Sequence, residues 1–204
     1  MNGDIKMKVN EIFRSVQGEG PAMGDVATFV RLSGCNLMCE GCDAVHQDGI
    51  NMSVSDVVEV CRCMKNDVII TGGEPFIQPE VYDLIFALDD AGFVVDVETN
   101  GTQSIMRDVT WNVRYFVVSP KRGYPVSKSV FAQSFKYWKF VIGPLHWMWS
   151  PEEVLCFIDR YDITKSSVYL MPYDAADNAR MVWDKCVEFG LNYSDRLQCR
   201  VGRK

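Results

Sequence analysis

Residues 28–42 read Thr-Phe-Val-Arg-Leu-Ser-Gly-Cys-Asn-Leu-Met-Cys-Glu-Gly-Cys, an apolar run that breaks at Gly34 into a loop carrying Cys35, Cys39 and Cys42. The run 28–32 is β-rich and nearly continuous in apolar residues, the signature of a strand buried on both faces. The same pattern returns at 67–71, 93–98, 115–119, 138–142 and 168–171, about six strands in all. Helical patterns lie between several of them. Segment 53–65 opens on Ser53 with Asp56 three residues on; 79–91 has Pro79 in its first turn and Gly92 past its end; 151–161 and 174–189 read similarly, the latter stopping at Gly190. Alternating strands and helices imply βα units around a mainly parallel sheet, with short crossovers near 101–112 where helices are shortened or absent. The strand count suits an open doubly wound sheet or a partial barrel, and periodicity does not choose between them. In both, ligands bind at the carboxyl ends of strands.

The unusual residues sit at those ends: 34–42 after the first strand, Thr71-Gly72-Gly73-Glu74-Pro75 after the second, Glu98-Thr99-Asn100-Gly101 after the third, Ser119-Pro120-Lys121 after the fourth and Met171-Pro172-Tyr173-Asp174 after the sixth. Composition sets the frame. The chain has 204 residues, 48% apolar and 24% charged, with no repeat or polar linker, so a single domain over 1–204 is expected. No apolar run approaches the roughly 18 residues that span a bilayer, and the start MNGDIKMKVNEIF lacks a signal-peptide core, which points to a soluble, cytoplasmic protein without a membrane partner. A net charge of -6 without long like-charge blocks argues against nucleic acid and for a small-molecule partner. Eight cysteines are too few for a disulfide-stapled secreted domain.

Three thiols at C-x3-C-x2-C can reach one metal centre. A closed zinc site needs a fourth ligand, for which His46 is available; an iron–sulfur cluster needs only the three, leaving one iron open to a substrate or cosubstrate. Cys61 and Cys63, two apart on one helix, face different ways and read as buried or half-buried thiols rather than a paired site. His46 and His146 are weak metal candidates on their own, and Trp147-Met148-Trp149 reads as aromatic cover over the core.

The cysteine loop together with Gly72-Gly73-Glu74-Pro75 resembles the radical S-adenosylmethionine superfamily. Residues 11–20, Glu-Ile-Phe-Arg-Ser-Val-Gln-Gly-Glu-Gly, followed by 29–37, Phe-Val-Arg-Leu-Ser-Gly-Cys-Asn-Leu, narrow the resemblance to the 7-carboxy-7-deazaguanine synthases. Ile70 to Pro75, Glu98 to Gly101, Ser119-Pro120-Lys121, Lys139-Phe140-Val141 and Leu170-Met171-Pro172 recur in that family's order.

The resemblance implies an α/β fold, a partial (βα)6 TIM-like barrel of the radical SAM type with shortened or missing helices, assembled as a homodimer. It implies a carbon–nitrogen lyase that contracts 6-carboxy-5,6,7,8-tetrahydropterin to 7-carboxy-7-deazaguanine with loss of ammonia, in the biosynthesis of queuosine-type 7-deazapurines. The radical comes from the cofactor and no side chain acts as acid or base. Cys35, Cys39 and Cys42 would ligate a 4Fe-4S cluster. Gly41, Cys42, Asp43, Gly72, Gly73, Glu74, Ser119, Pro120, Lys121, Met171, Pro172, Tyr173 and Asp174 would line S-adenosylmethionine. Val16, Gln17, Gly18, Glu19, Arg31, Thr71 and Gln198 would face the pterin, with Gln17 and Glu19 on its amide-like edge and Arg31 on its carboxylate. A flavodoxin-like protein is the expected electron donor.

Two residues depart from the family pattern. Ala44 stands where a Thr helps hold Mg2+, with Asp43 or water as substitutes, and Gly41 replaces an aromatic residue beside the adenine. An alternative with the same cysteine spacing is an activating enzyme acting on a glycine of a partner protein. Elemental analysis of anaerobically purified protein separates the redox reading from the zinc reading: iron and sulfide in excess of zinc are expected, and one zinc with little iron would end the redox account.

Overall fold

The computed structural model describes residues 6–42, 44, 47–64, 66–174 and 178–202. In chain order the elements are β1 (Lys6–Val16), β2 (Val26–Leu32), β3 (Ile50–Ser53), α1 (Val54–Met64), β4 (Val68–Gly72), α2 (Val81–Asp90), β5 (Val95–Thr99), β6 (Tyr115–Val118), α3 (Lys128–Phe131), β7 (Lys136–Ile142), α4 (Pro151–Tyr161), β8 (Val168–Pro172), α5 (Ala179–Phe189), β9 (Asn192–Tyr193) and α6 (Leu197–Arg200). They group into two compact units, the first comprising Met1–Ser15, Val26–Phe116 and Val126–Phe135, the second Val16–Asp25, Val117–Pro125 and Lys136–Lys204.

In the first unit the strand order is β3-β1-β2-β4-β5, continued by the first half of β6. β1 and β3 pair antiparallel, Lys6 opposite Ser53 and Val9 opposite Ile50, while β2, β4 and β5 run parallel with Val30 opposite Ile70 and Ile70 opposite Val97. Alternation sorts β2 into two buried faces. Thr28, Val30 and Leu32 belong to one; Ala27 and Phe29 belong to the other and pack with Ile69 and Phe13. Phe13 and Phe29 stack at 5.1 Å between centroids. The apolar faces of α1 and α2 (Val57, Val58, Cys61; Val81, Leu84, Ile85, Leu88) are buried, which is why these short amphipathic helices form at all. Ser53 and Asp56 cap α1 reciprocally: the amide of Asp56 donates to Ser53 Oγ at 3.1 Å and the amide of Ser53 to Asp56 Oδ2 at 3.3 Å.

In the second unit the end of β6 is followed by β7-β8-β9. β7 and β8 are parallel, Trp138 opposite Val168 and Ile142 opposite Pro172. α4 starts at a full capping box of Ser150 and Glu153, and its Phe157 lies within 5.7 Å of the rings of Trp138, Phe140 and Trp149. Trp147, Met148 and Trp149 are therefore core cover, as read from sequence. α5 closes at Gly190, whose φ of 68° suits the left-handed cap.

The result is an α/β fold of mostly parallel strands that is open: β3 and β9 have one neighbour each, so no barrel closes among the described residues. The expected shortening of helices is present, since β5 and β6 are joined through a 3-10 turn, Arg107–Trp111, and β6 and β7 through the single turn of α3. Sequence reading missed β1, in which buried Met7 and Val9 alternate with Lys6, Lys8 and Asn10, the period-two pattern of an outer strand. It also started one helix too early, since α2 begins at Val81; α5 begins at Ala179, and residues 175–177 before it lie outside the described ones. Among the described residues no helix is long and apolar enough to cross a membrane.

Asp96 on β5 is a buried carboxylate of the first unit's core. Its side chain is 3% exposed and receives a bidentate Arg114, Nε to Oδ1 at 2.9 Å and Nη2 to Oδ2 at 2.5 Å, while Nη1 reaches Asp67 at 3.3 Å. Arg114→Ala strands the buried carboxylate and is expected to cost about 3 kcal/mol in urea unfolding, whereas Asp96→Asn, which removes the buried charge itself, costs less. Equal losses would show that Arg114 acts only through packing.

Candidate functional site

The carboxyl ends of β2, β4 and β5 are joined by hydrogen bonds, and the joint is made by Glu74. Its side chain is fully buried. Oε1 accepts from the amide of Phe76 at 3.2 Å and from Thr99 Oγ1 at 2.8 Å, and Oε2 accepts from the amide of Asn100 at 2.7 Å. The amide of Glu74 in turn donates to the carbonyl of Gly34 at 3.0 Å, and that of Gly73 to Leu32 at 3.2 Å. A Cβ on Gly73 would collide with the Gly34 carbonyl and lie 2.9 Å from Cys35 Cβ, so only glycine lets the two loops meet. The space beside Gly72 and Gly73 is filled by the backbone of Leu32 and Gly34, and Glu74 braces the strand ends.

The cysteine loop hangs from this joint. Asn100, buried at the end of β5, has its Oδ1 fixed by the amide and hydroxyl of Thr102 at 2.8 and 2.7 Å, which turns Nδ2 toward Asn36 Oδ1 at 3.1 Å and Cys35 Sγ at 3.9 Å. Asn36 also donates to Thr102 Oγ1 at 2.8 Å. Cys35 and Cys39 are half-buried and Cys42 exposed, and all eight cysteines are thiols. Gly41, exposed, turns the chain at φ 68° just before Cys42. Among the described residues no three Cys, His, Asp or Glu side chains are gathered closely enough to hold a metal as they stand. The donor set nevertheless fits a three-thiolate cluster, being sulfur-rich and on one loop without strand or helix. Asp43 and His46 lie outside the described residues.

On the inner face of the same strands the apolar residues give way to a polar row one step nearer the carboxyl ends. Arg31 on β2 is in register with Thr71 on β4, and Thr71 Oγ1 donates to Glu98 on β5 at 2.8 Å. Arg31 is not free-standing. Its Nε donates to Glu11 Oε1 at 2.7 Å and its guanidinium lies 5.6 Å from the Phe13 centroid. Sequence reading named Arg31 and Thr71 but missed Glu98 and Glu11, whose signal was their place at inward positions of strands.

The second unit holds the other predicted residues. Gln17 is buried; its backbone exchanges hydrogen bonds with Asp25 and Gly24, and its Oε1 accepts from the amide of Glu19 at 3.1 Å. Val16 is exposed. Glu19 is ion-paired with Lys139 in a short contact, with side chains 15% and 8% exposed, and accepts from Gln198 Nε2 at 2.8 Å; Arg196 Nε stands 3.9 Å from it. Gly18 packs against Gln198, where a Cβ would strike the amide, and its carbonyl takes the amide of Leu197 at 3.1 Å. Gln198 Oε1 is buried without a hydrogen-bond partner among the described residues. The structure thus brings Gln17, Gly18, Glu19 and Gln198 together, although Gln198 is distant in sequence. Lys139 was missed as a site residue; a lysine at an inward position of an apolar strand was its signal.

Burial works to raise the Glu19 carboxyl, but the charge and hydrogen bond of Lys139, the hydrogen bond of Gln198 and the charge of Arg196 together hold it below its ordinary 4.5. Ser119 and Lys121 form a closed pair after β6, Lys121 Nζ donating to the carbonyl and hydroxyl of Ser119, both at 2.8 Å, with Trp147 beneath the ammonium at 5.5 Å. The carbonyl of Pro120 accepts from Trp149 Nε1 at 2.9 Å. Met171 and Pro172 are buried at the end of β8; the carbonyl of Tyr173 takes Arg196 Nη1 at 2.9 Å, and Asp174 is exposed.

A family model of the radical SAM superfamily matches residues 29–139. The 7-carboxy-7-deazaguanine synthase of Pyrobaculum aerophilum is 34% identical over 97% of this chain and 95% of its own, and that of Hyperthermus butylicus 32% identical over 96% and 92%. Among solved structures, the fold resembles QueE from Escherichia coli, with a TM-score of 0.75, 24% identity and 93% of each chain covered. It also resembles Streptococcus suis SuiB bound to S-adenosylmethionine, with a TM-score of 0.59 at 16% identity, over 79% of this chain and 48% of that one.

Because Glu19 has a depressed carboxyl, its contribution to stability is complete above pH 4.5 and is lost as pH falls through the lower folded value. Lys139→Ala leaves that carboxylate buried and unpaired and is expected to cost about 3 kcal/mol at pH 7, a cost that shrinks as pH is lowered. Lys139→Met with Glu19→Gln recovers most of it in thermal unfolding; no recovery would mean the pair contributes through packing alone.

Proposed function

The chain belongs to the 7-carboxy-7-deazaguanine synthases of the radical SAM superfamily, and from that premise we propose how its two groups of side chains divide the work of ring contraction. A radical SAM enzyme carries a 4Fe-4S cluster and S-adenosylmethionine, and when bound these supply the radical that rearranges the pterin. The protein's own tasks are to hold, orient and exclude water.

Cys35, Cys39 and Cys42 are the ligands of the cluster, with Asn100 steadying Cys35. The backbone of Gly41, Gly72, Gly73 and Glu74 and the strand-end residues Ser119, Pro120, Lys121, Met171, Pro172, Tyr173 and Asp174, with Cys42 and Asp43, line S-adenosylmethionine. Arg31 takes the substrate carboxylate and Thr71 stands beside it. Glu19 and Gln198 present an acceptor and an amide to the guanine-like edge, where the unpaired Gln198 Oε1 accepts a ring N–H. Gln17 shapes the turn through the amide of Glu19, with Val16 and Gly18 completing it. The observation that carries this reading is the polar row Arg31, Thr71 and Glu98, set on the same strand ends as the three-thiol loop.

The side chain of Ala44 has no ligand atom, so a Mg2+ ion bound there would be held by Asp43 or water in place of residue 44, unless the reaction dispenses with the metal. The cytoplasm, a flavodoxin-like reductant, a homodimer and a single radical SAM core domain over both units complete the proposal. The full-length relatives support a synthase rather than an enzyme that activates a glycine of a partner protein.

Anaerobically reconstituted protein with dithionite, S-adenosylmethionine and 6-carboxy-5,6,7,8-tetrahydropterin is expected to form 7-carboxy-7-deazaguanine by mass spectrometry, and Cys39→Ala to lose both iron and product. Cosubstrate cleavage without product would sink the assignment. In a Mg2+ titration of activity, Ala44→Thr is expected to lower the half-saturating concentration by about tenfold, on the order of one added ligand; an unchanged midpoint would place Mg2+ elsewhere.

A further inference from the structure

Arg31 has a partner that no step above uses. Glu11, on β1, accepts from Arg31 Nε at 2.7 Å, and among the described residues the hydrogen bonds of Arg31 run through Nε alone. The Arg31 side chain is 22% exposed and that of Glu11 50%, so the pair is too wet to add much to stability. Its geometry has another consequence. A guanidinium binds a carboxylate in a planar fork, and an acceptor on Nε leaves the end formed by the two Nη atoms for a second carboxylate. Phe13 lies against the same guanidinium, and Phe13 is itself stacked on Phe29, so the plane of Arg31 is bounded by a rigid aromatic pair while its rotation is fixed by Glu11.

We propose that Glu11 is a positioning residue: it holds Arg31 by Nε so that the Nη fork is preset for the carboxylate of the pterin and of the product. This rests on the assignment of Arg31 to the substrate carboxylate. Preorganisation removes the rotamer entropy that Arg31 would otherwise lose on binding, so it acts on affinity for carboxylated ligands and leaves the chemical step alone. A ligand without a carboxylate gains nothing from the arrangement.

The test compares Glu11→Ala, Glu11→Gln and Arg31→Ala in reconstituted holoenzyme, measuring KM and kcat for the carboxypterin and inhibition by 7-carboxy-7-deazaguanine and by 7-deazaguanine. Glu11→Ala is expected to raise KM by about fivefold with kcat within about twofold, and to weaken the carboxylated inhibitor by a similar factor while 7-deazaguanine is unaffected. Glu11→Gln, which keeps an acceptor for Nε, recovers most of the loss. Arg31→Ala weakens carboxylated ligands by about a hundredfold or more. If Arg31→Ala matters and Glu11→Ala does not, or if Glu11→Ala weakens both inhibitors alike, Glu11 has no positioning role. If Arg31→Ala itself leaves the carboxylated inhibitor unchanged, the Arg31 assignment falls and this inference with it.

Discussion

A buried carboxylate just past β4 holds the strand ends of the first unit together. Glu74 takes donors from the turn that follows it and from Thr99 and Asn100 at the end of β5, while its own amide seats the Gly34 carbonyl of the cysteine loop. A carboxylate so enclosed is stable only when its donors are all present, since an ion without them would face a desolvation cost of several kcal/mol. Asn100 extends the lock to Cys35, so the cysteine loop is anchored at its base, while Cys42 at its far side is exposed.

Alternation along the strands does the rest of the placing. On the inner face of β2 and β4, Ala27, Phe29 and Ile69 form an apolar floor with Phe13, and the next inward positions are Arg31 and Thr71. Side chains two apart share a face, so a single step converts the apolar floor into a polar row. In the second unit the corresponding event is Lys139, whose neighbours Trp138 and Phe140 turn into the aromatic core around Phe157 while the lysine turns inward to Glu19. Both units thus place polar function at inward positions of strands whose other residues are apolar, and in each case the charge is compensated within hydrogen-bond reach.

Much of this was legible beforehand. The runs at 28–32 and 168–171 are strands, the C-x3-C-x2-C loop and the Gly-Gly-Glu-Pro turn sit at strand ends, and the missing helices near 101–112 are a 3-10 turn. β1 was overlooked because its alternation is half polar and was read only as a motif. Glu74 shows what the sequence leaves open. Its carboxylate accepts from two backbone amides and the Thr99 hydroxyl, and nothing in a linear order of residues tells which donors a buried oxygen will meet. Glu11 and Lys139 escaped for the same reason.

The amino-acid sequence by itself determined the α/β class, the strand-end positions of the chemistry and the family, because apolar periodicity and short ligand spacings are local properties that survive without coordinates. Only the tertiary structure decided that Arg31 leans on Glu11, that Glu19 is matched by Lys139 and Gln198, and that the sheet stays open at β3 and β9. Those pairings join residues as much as 179 positions apart. They exist because strand register and burial bring the groups within reach of one another, and a charge removed from water must take whichever partner the packing supplies.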